Sequence, residues 1–178
     1  MRLRPPARRP AAPPARPGVA AVELGVTFLV FVVPLMVGIW EVGRMVQVQQ
    51  IVSNAAREGA RLAAQGTVVR SDGTVVQICT ATGTPSVRDV AYQYLLAAGL
   101  TGLSPSDVDV QFQFTTGGGT EPYQGRKGQP FTVTVSVDWT KVRWVSLGFI
   151  RPGRIAFTVT WQMLVDDPFT VNQTLPSF

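Results

Sequence analysis

Between Val19 and Trp40 the chain reads VAAVELGVTFLVFVVPLMVGIW, an apolar run broken by one charge, Glu23. A helix that crosses a bilayer needs about 20 residues of this kind, longer and more uniformly apolar than the one-faced helices of a small domain. Leu24 to Trp40 is free of charge for seventeen residues. Pro34 lies inside the run, where a local kink or a neighbouring helix can re-satisfy the carbonyl it frees. A secretory signal peptide is excluded by the length of the run and by its exit, GIWEVGR, which holds no small-x-small cleavage site. Arg2, Arg4, Arg8, Arg9 and Arg16 precede the span, while Glu41 and Arg44 nearly cancel just after it. That asymmetry places the N-terminus in the cytoplasm and everything after Trp40 outside it, in the periplasm of a bacterium.

The same arginines account for the basic character of the chain. The formal charge is +5 and the pI near 10.1, yet charged residues make up 15% of the chain and apolar ones 46%. The eleven acidic residues all follow Gly18, so from Val19 onward acids and bases are equal in number. The pI is therefore no sign of a nucleic-acid surface. Residues 1–18 form a basic, proline-rich leader with neither helical propensity nor apolar content for a core. The chain has no histidine and one cysteine, Cys79. This rules out a Ser-His-Asp triad, a histidine base, an internal disulfide and a Cys/His metal cluster.

Beyond the span the helix is expected to continue through residues 41–66. Met45, Val48, Val52, Ala55, Gly59 and Leu62 recur at steps of three and four, with Gln47, Gln50, Asn54, Arg57, Glu58 and Arg61 elsewhere around the helix. Gly66 is the expected C-cap. A helix from Val19 to Gln65 would be about 70 Å long at the usual rise per residue. Ala55, Gly59 and Ala63 stand four apart, as do Ala56, Ala60 and Ala64. Small residues at that spacing admit a close backbone, either a neighbouring subunit's helix or the protein's own domain.

Residues 67–178 read as a small extracytoplasmic α+β domain. Thr67 to Arg70 and Thr74 to Cys79 flank Ser-Asp-Gly, a hairpin signal. Thr84 as N-cap and Pro85 at the first helical position open a short helix that turns Val87, Val90, Ala91, Leu95 and Ala98 inward and closes at Gly99. Three alternating segments follow: Val108 to Phe114, Phe131 to Trp139 and Ile155 to Met163. Each alternates apolar with polar residues, as in an antiparallel sheet with one face buried against helices.

The stretch GVAAVELGVTFLVFVVPLMVGIWEVGRMVQVQQIVSNAAREGARLAAQ resembles the TadE-like family of pilin-like proteins of tight-adherence (Flp-type) pilus systems. AVEL at the start of the span, PLMVGIWEVGR at its exit and NAAREGARLAA beyond it carry the likeness, NAAREGAR being the most specific. Glu41, Gly43, Arg44, Asn54, Ala55, Ala56, Arg57, Glu58, Gly59, Ala60 and Arg61 are the motif positions after the span. The resemblance implies a non-enzymatic minor pilin-like subunit (pseudopilin) in the bacterial inner membrane, without cofactor or metal, cut by a prepilin peptidase between Gly18 and Val19. Glu23 becomes the fifth mature residue, placed to meet the new α-amine of a neighbouring subunit; a carboxylate within a bilayer otherwise snorkels to the interface. Implied partners are a sister TadF-like pseudopilin, the major pilin, and an inner-membrane platform with its ATPase. The alternative is a membrane-tethered binding or adhesion module with an uncleaved signal anchor.

Other candidate chemistry is sparse. Asp107 and Asp109 are expected two apart on one strand face, and Asp166 and Asp167 are adjacent. Such pairs can hold a cation or exchange protons, but solvated surface acids are the commoner case. Loop 115–130, TTGGGTEPYQGRKGQP, lacks the GK[ST] ending of a phosphate loop and is read as a disordered excursion rather than a contact surface. Cys79 is expected as a small buried hydrophobe in a strand. Trp139, Trp144 and Trp161 are expected at the sheet core or rim rather than as a ligand platform, and Trp40 as an interfacial anchor.

Overall fold

A computed structural model describes residues 17–143 and 153–165. The chain divides into two compact units, one ending at Trp40 and the other beginning at Glu41. The leader's residues 1–16, Trp144, Asp166 and Asp167 lie outside the described residues.

The N-terminal unit is helical. Helix α1 (Pro17–Thr27) passes into a π-helical turn, Phe28–Val32, and then into α2 (Val33–Gln65). Pro34 has no N–H to give to the carbonyl four residues back, and the widened turn lies just before it, with the Val33 N–H reaching Phe28 O instead. From Gly18 to Gln65 the helix is long and apolar enough to cross a membrane, and its most apolar window buries nothing within the protein. Leu24, Leu29, Phe31 and Leu35 are each more than 60% exposed. Side chains of this size need an apolar surrounding other than their own chain.

The C-terminal unit is α+β. Strands β1 (Thr67–Val69) and β2 (Val75–Gln77) form an antiparallel hairpin over the Ser71-Asp72-Gly73 turn. The Asp72 carboxylate fixes the turn by accepting from the Thr74 N–H and hydroxyl. Helix α3 (Val87–Ala97) follows, then a 3₁₀ turn, Pro105–Asp107, and strand β3 (Val108–Phe114). Strand β4 (Pro130–Asp138) pairs antiparallel with β3 and with β5 (Arg154–Gln162), giving the order β3-β4-β5. A single turn of helix, α4 (Trp139–Val142), leaves β4.

One core joins these elements. Val48, Val52, Ala55, Ala56, Ala60, Ala63 and Ala64 of α2 are fully buried with Val87, Ala91 and Leu95 of α3 and Phe131, Val133, Val135 and Val137 of β4. At one end of the sheet Phe112 packs edge-on to Phe114, ring centroids 4.8 Å apart, and lies 5.1 Å from Phe131. The register puts Val108, Val110, Phe112 and Phe114 opposite Val137, Val135, Val133 and Phe131, so the apolar residues of both strands share a face. Helix α2 ends at Gln65, and Gly66 takes φ 66°. A Cβ there would stand 2.8 Å from Val165 Cγ2, so both the left-handed backbone and the close approach require glycine. The freed Ala64 carbonyl accepts from the Leu164 N–H at 2.7 Å.

Four expectations change in detail. Helix α3 is capped by Ser86, not Thr84: the Ser86 hydroxyl accepts from the Asp89 N–H, and a bridge between Cys79 and Ser86 holds the preceding backbone against residues 79–80. Ala98 is the C-cap and is exposed. Trp139 is buried, but it begins α4 rather than ending β4, because the Asp138 carboxylate caps the turn by accepting from the Thr140 N–H. On β5 burial fades along the strand: Ile155 is buried, Phe157 and Val159 are half-buried, and Trp161 is 40% exposed.

Candidate assembly surfaces

In the N-terminal unit, Gly18 and Val19 lie in the first turn of α1 and are exposed. Glu23 stands one turn further on, also exposed, and makes no hydrogen bond or ion pair with the described residues. Neither Gly25 nor Gly38 has an atom within 4 Å of where a Cβ would be. This helix therefore offers an open apolar surface with one carboxylate near its start.

The motif positions after the span separate by their angle around α2. Ala55, Ala56, Gly59 and Ala60 face the core of the protein's own domain. At Gly59 a Cβ would come within 3.1 Å of Val87 Cγ1 and 3.7 Å of Val87 O, so the start of α3 lies against α2 where the side chain is missing. The small-residue face is thus occupied from within the chain. Asn54, Arg57 and Arg61 are exposed, while Arg61 and the half-buried Glu58 pair one turn apart. The hydrogen bond and charge of Glu58 hold the Arg61 guanidinium above its ordinary pKa. At such exposure the pair adds little stability. Gly43 is exposed. Arg44 donates from Nε to the Val142 carbonyl at 3.3 Å, tying α2 to the end of α4, and from Nη1 to Gln47 Oε1 at 3.1 Å. Partial burial lowers its pKa.

Glu41 is a residue whose environment sequence reasoning did not foresee. It is 7% exposed, and both carboxylate oxygens are buried without a hydrogen-bond partner among the described residues. A single acid after an apolar run reads as an interfacial charge; only its surroundings in three dimensions reveal that it is enclosed.

Asp107 and Asp109 do not form a pair. Asp107 closes the 3₁₀ turn before β3, and its Oδ2 accepts from the Ser104 hydroxyl at 2.6 Å and the Ser104 N–H at 2.9 Å. These bonds hold its carboxyl below the ordinary carboxylate range, with a smaller contribution from Lys141. Asp109 lies on β3 and pairs with Arg154 at 3.6 Å. Both acids are structural. Cys79 is half-buried outside any strand, since β2 ends at Gln77. Among the described residues no three His, Cys, Asp or Glu side chains come together.

Loop 115–130 is ordered, contrary to expectation. Its centre is a 3₁₀ turn, Pro122–Gln124, with Pro122 buried. Gln124 Oε1 accepts from the Thr120 and Glu121 N–H groups, and Gln129 joins the loop's limbs by donating to Thr116 O and accepting from the Arg126 N–H. Glu121 Oε2 accepts from the Thr80 N–H at 2.6 Å, across 41 residues of sequence. The loop walls an open cleft of about 470 Å³ lined by Thr116, Gly117, Gly118, Gln124, Arg126 and Gln129. Arg126 and Lys127 are both exposed, and of the two Arg126 lines the cleft.

Comparison with known proteins agrees with the likeness read from the sequence. Residues 18–61 match the family model described as TadE-like protein. No curated protein and no solved structure matches the chain. The matched stretch holds the apolar helix, Glu23 and the motif positions through Arg61, and its resemblance implies a structural part in tight-adherence pilus biogenesis.

Proposed function

We propose that the chain is a minor pilin-like subunit of a tight-adherence pilus, inserted with its N-terminus in the cytoplasm and trimmed by a prepilin peptidase between Gly18 and Val19. The observation that carries this reading is the match over residues 18–61, combined with a long helix whose most apolar stretch is left unburied by the described residues. After trimming, the subunit joins its neighbours laterally through residues 19–40. Glu23 supplies the polar contact of that packing, with a neighbour's α-amine at Val19 as its partner. An ionised carboxylate in a bilayer is costly alone and normally paired, and Glu23 has no partner among the described residues. The unit from Glu41 onward is the extracytoplasmic part, held together by the small-residue face of α2. Sister pseudopilin, major pilin, membrane platform and ATPase are the partners this role requires.

The deciding experiment is the N-terminal sequence of the mature protein recovered from its native membrane. Val19 is the expected first residue, and Glu23→Ala should leave insertion intact while blocking assembly. An intact Met1, together with full function of the Glu23→Ala variant, would overturn the proposal in favour of a tethered binding module.

A further inference from the structure

The cleft walled by loop 115–130 has no part in membrane insertion or in the packing of residues 19–40, yet its walls are fixed. Gln129 Nε2 donates to Thr116 O at 2.6 Å, and its Oε1 accepts from the Arg126 N–H at 3.0 Å. Gln124 Oε1 accepts from the Thr120 N–H at 2.8 Å. The chain just past β5 holds the same limb: the Gly128 N–H reaches Met163 O at 2.9 Å, and the Met163 N–H reaches Gln129 O at 3.0 Å. Glycine keeps the cleft open. A Cβ on Gly117, at φ 87°, would lie 2.7 Å from Gln129 Nε2, whereas one on Gly118 would meet nothing within 4 Å. Walls locked in this way lose little freedom when a ligand binds.

The polar groups left over in the cleft are donors. Gln124 Oε1, Gln129 Oε1 and Thr116 O already accept from groups of the loop itself. The Arg126 guanidinium has no hydrogen-bond or ion-pair partner among the described residues, and neither do the Gly117 and Gly118 N–H groups. No carboxylate lines the cleft, because the loop's one acid, Glu121, is turned to the Thr80 N–H at 2.6 Å. A cation beside unpaired backbone N–H groups, with no acid to answer it, is a seat for an oxyanion. The cleft, at about 470 Å³, is far larger than a carboxylate or phosphate group and falls in the range of small-molecule sites, so the anion carries a body. Its lining is threonine, glycine, glutamine and arginine, with no aliphatic or aromatic side chain, so that body is hydroxylated rather than apolar. We propose that the cleft binds an anionic saccharide. The acid group sits on the Arg126 guanidinium and the Gly117 and Gly118 N–H groups. The ring hydroxyls meet the Thr116 hydroxyl and Gln124 Nε2, which otherwise reaches only the Tyr123 hydroxyl, at 3.4 Å. The site stands independently of processing at Gly18.

The test is titration of the full chain in detergent micelles with four probes: glucuronate, glucose 6-phosphate, glucose and inorganic phosphate. The amide resonances of Gly117 and Gly118 should shift saturably, in the millimolar range, with at least one of the two anionic sugars. Tighter binding of glucuronate assigns a carboxylate as the acid group, and tighter binding of glucose 6-phosphate assigns a phosphate. Glucose and inorganic phosphate, which each lack one half of the ligand, should bind at least about tenfold more weakly. Arg126→Gln should weaken the anionic sugars by about tenfold or more through loss of a charge-assisted contact. Its exposed side chain makes no contact that the fold needs, so amide resonances outside the loop should stay in place. Lys127→Gln removes the same charge one residue away, from a side chain that does not line the cleft, and should weaken binding far less. No saturable shift with either anionic sugar up to about 50 mM would overturn the proposal. So would glucose binding as tightly, inorganic phosphate binding as tightly (an adventitious ion only), an unchanged Arg126→Gln, or equal losses in Arg126→Gln and Lys127→Gln.

Discussion

Gly59→Ala tests whether the small-residue face of α2 serves the protein's own fold. Two opposed effects act on that substitution. Inside a helix, alanine is favoured over glycine by about 1 kcal/mol. Against this, the added Cβ would sit 3.1 Å from Val87 Cγ1, closer than ordinary van der Waals contact. Val87 has no easy retreat: it is fully buried at the first position of α3, and its N–H donates to the Cys79 carbonyl at 3.0 Å. Overpacking of this kind costs roughly 1–3 kcal/mol, so Gly59→Ala should be neutral to destabilising by about 2 kcal/mol. Val87→Ala removes the opposing methyl and isolates the clash. In that background Gly59→Ala should stabilise by about 1 kcal/mol, the helical preference alone. The coupling between the two sites then equals the clash, roughly 1–3 kcal/mol. The assay is urea unfolding of the full chain in detergent micelles, followed by the fluorescence of Trp139, which is 1% exposed. A coupling below about 0.5 kcal/mol would refute the reasoning. So would a Gly59→Ala chain that is more stable than the parent yet fails only in assembly, which would make the face a subunit contact.

Two further outcomes follow from the domain's polar contacts. The Asp107 carboxyl is held below the ordinary range chiefly by the Ser104 hydroxyl, so the folded state favours its ionised form and gains stability that is present above the unfolded-state pKa and lost as pH falls through the folded value. Asp107→Asn should therefore lower thermal stability by a constant amount above pH ~5, with the difference from wild type vanishing by pH ~2; a difference unchanged across that range would contradict it. Glu121→Ala should free loop 115–130 by removing the acceptor of the Thr80 N–H, giving at least tenfold faster amide exchange at Thr80, Thr120 and Glu121 by local opening worth about 1.4 kcal/mol; unchanged exchange would show that Gln124 and Gln129 hold the loop without it.

The strands were legible because alternation is a local signal. Val108 to Phe114 and Phe131 to Val137 carry the burial that their period of two implies. The helix ran as its three-and-four spacing required, and Gly66 stopped it. Where local signals compete, sequence alone chooses poorly. Thr84 and Ser86 are both plausible caps, and what decides is the bridge from Ser86 to Cys79, a contact made only on folding. Asp138 with Thr140 is an N-cap signature in plain view, masked by the alternation of Phe131 to Trp139 that runs through it. The order of loop 115–130 depends on Glu121 reaching Thr80, which no composition of glycine and charge can announce. The same limit applied at the candidate site. Spacing shows that Ala55, Gly59 and Ala63 share a face, but not which backbone fills it.

That last distinction reshapes what the NAAREGAR segment does. If its small residues are filled by α3 and the sheet, the segment cannot also be the groove into which a neighbour's helix packs, because Ala55, Ala56 and Ala60 have no exposed surface to offer. Its role is then to join the helix to the domain as a tightly packed unit, with Arg44 adding a second tie at Val142. Lateral contacts must come from elsewhere. Among the described residues the large open apolar surface is the helix before Trp40, with Glu23 near its start. Glu23→Ala should therefore lower assembly and leave unfolding of the domain at its parent value, whereas Gly59→Ala should shift unfolding and leave assembly unchanged; a Glu23→Ala chain with altered unfolding would contradict this separation.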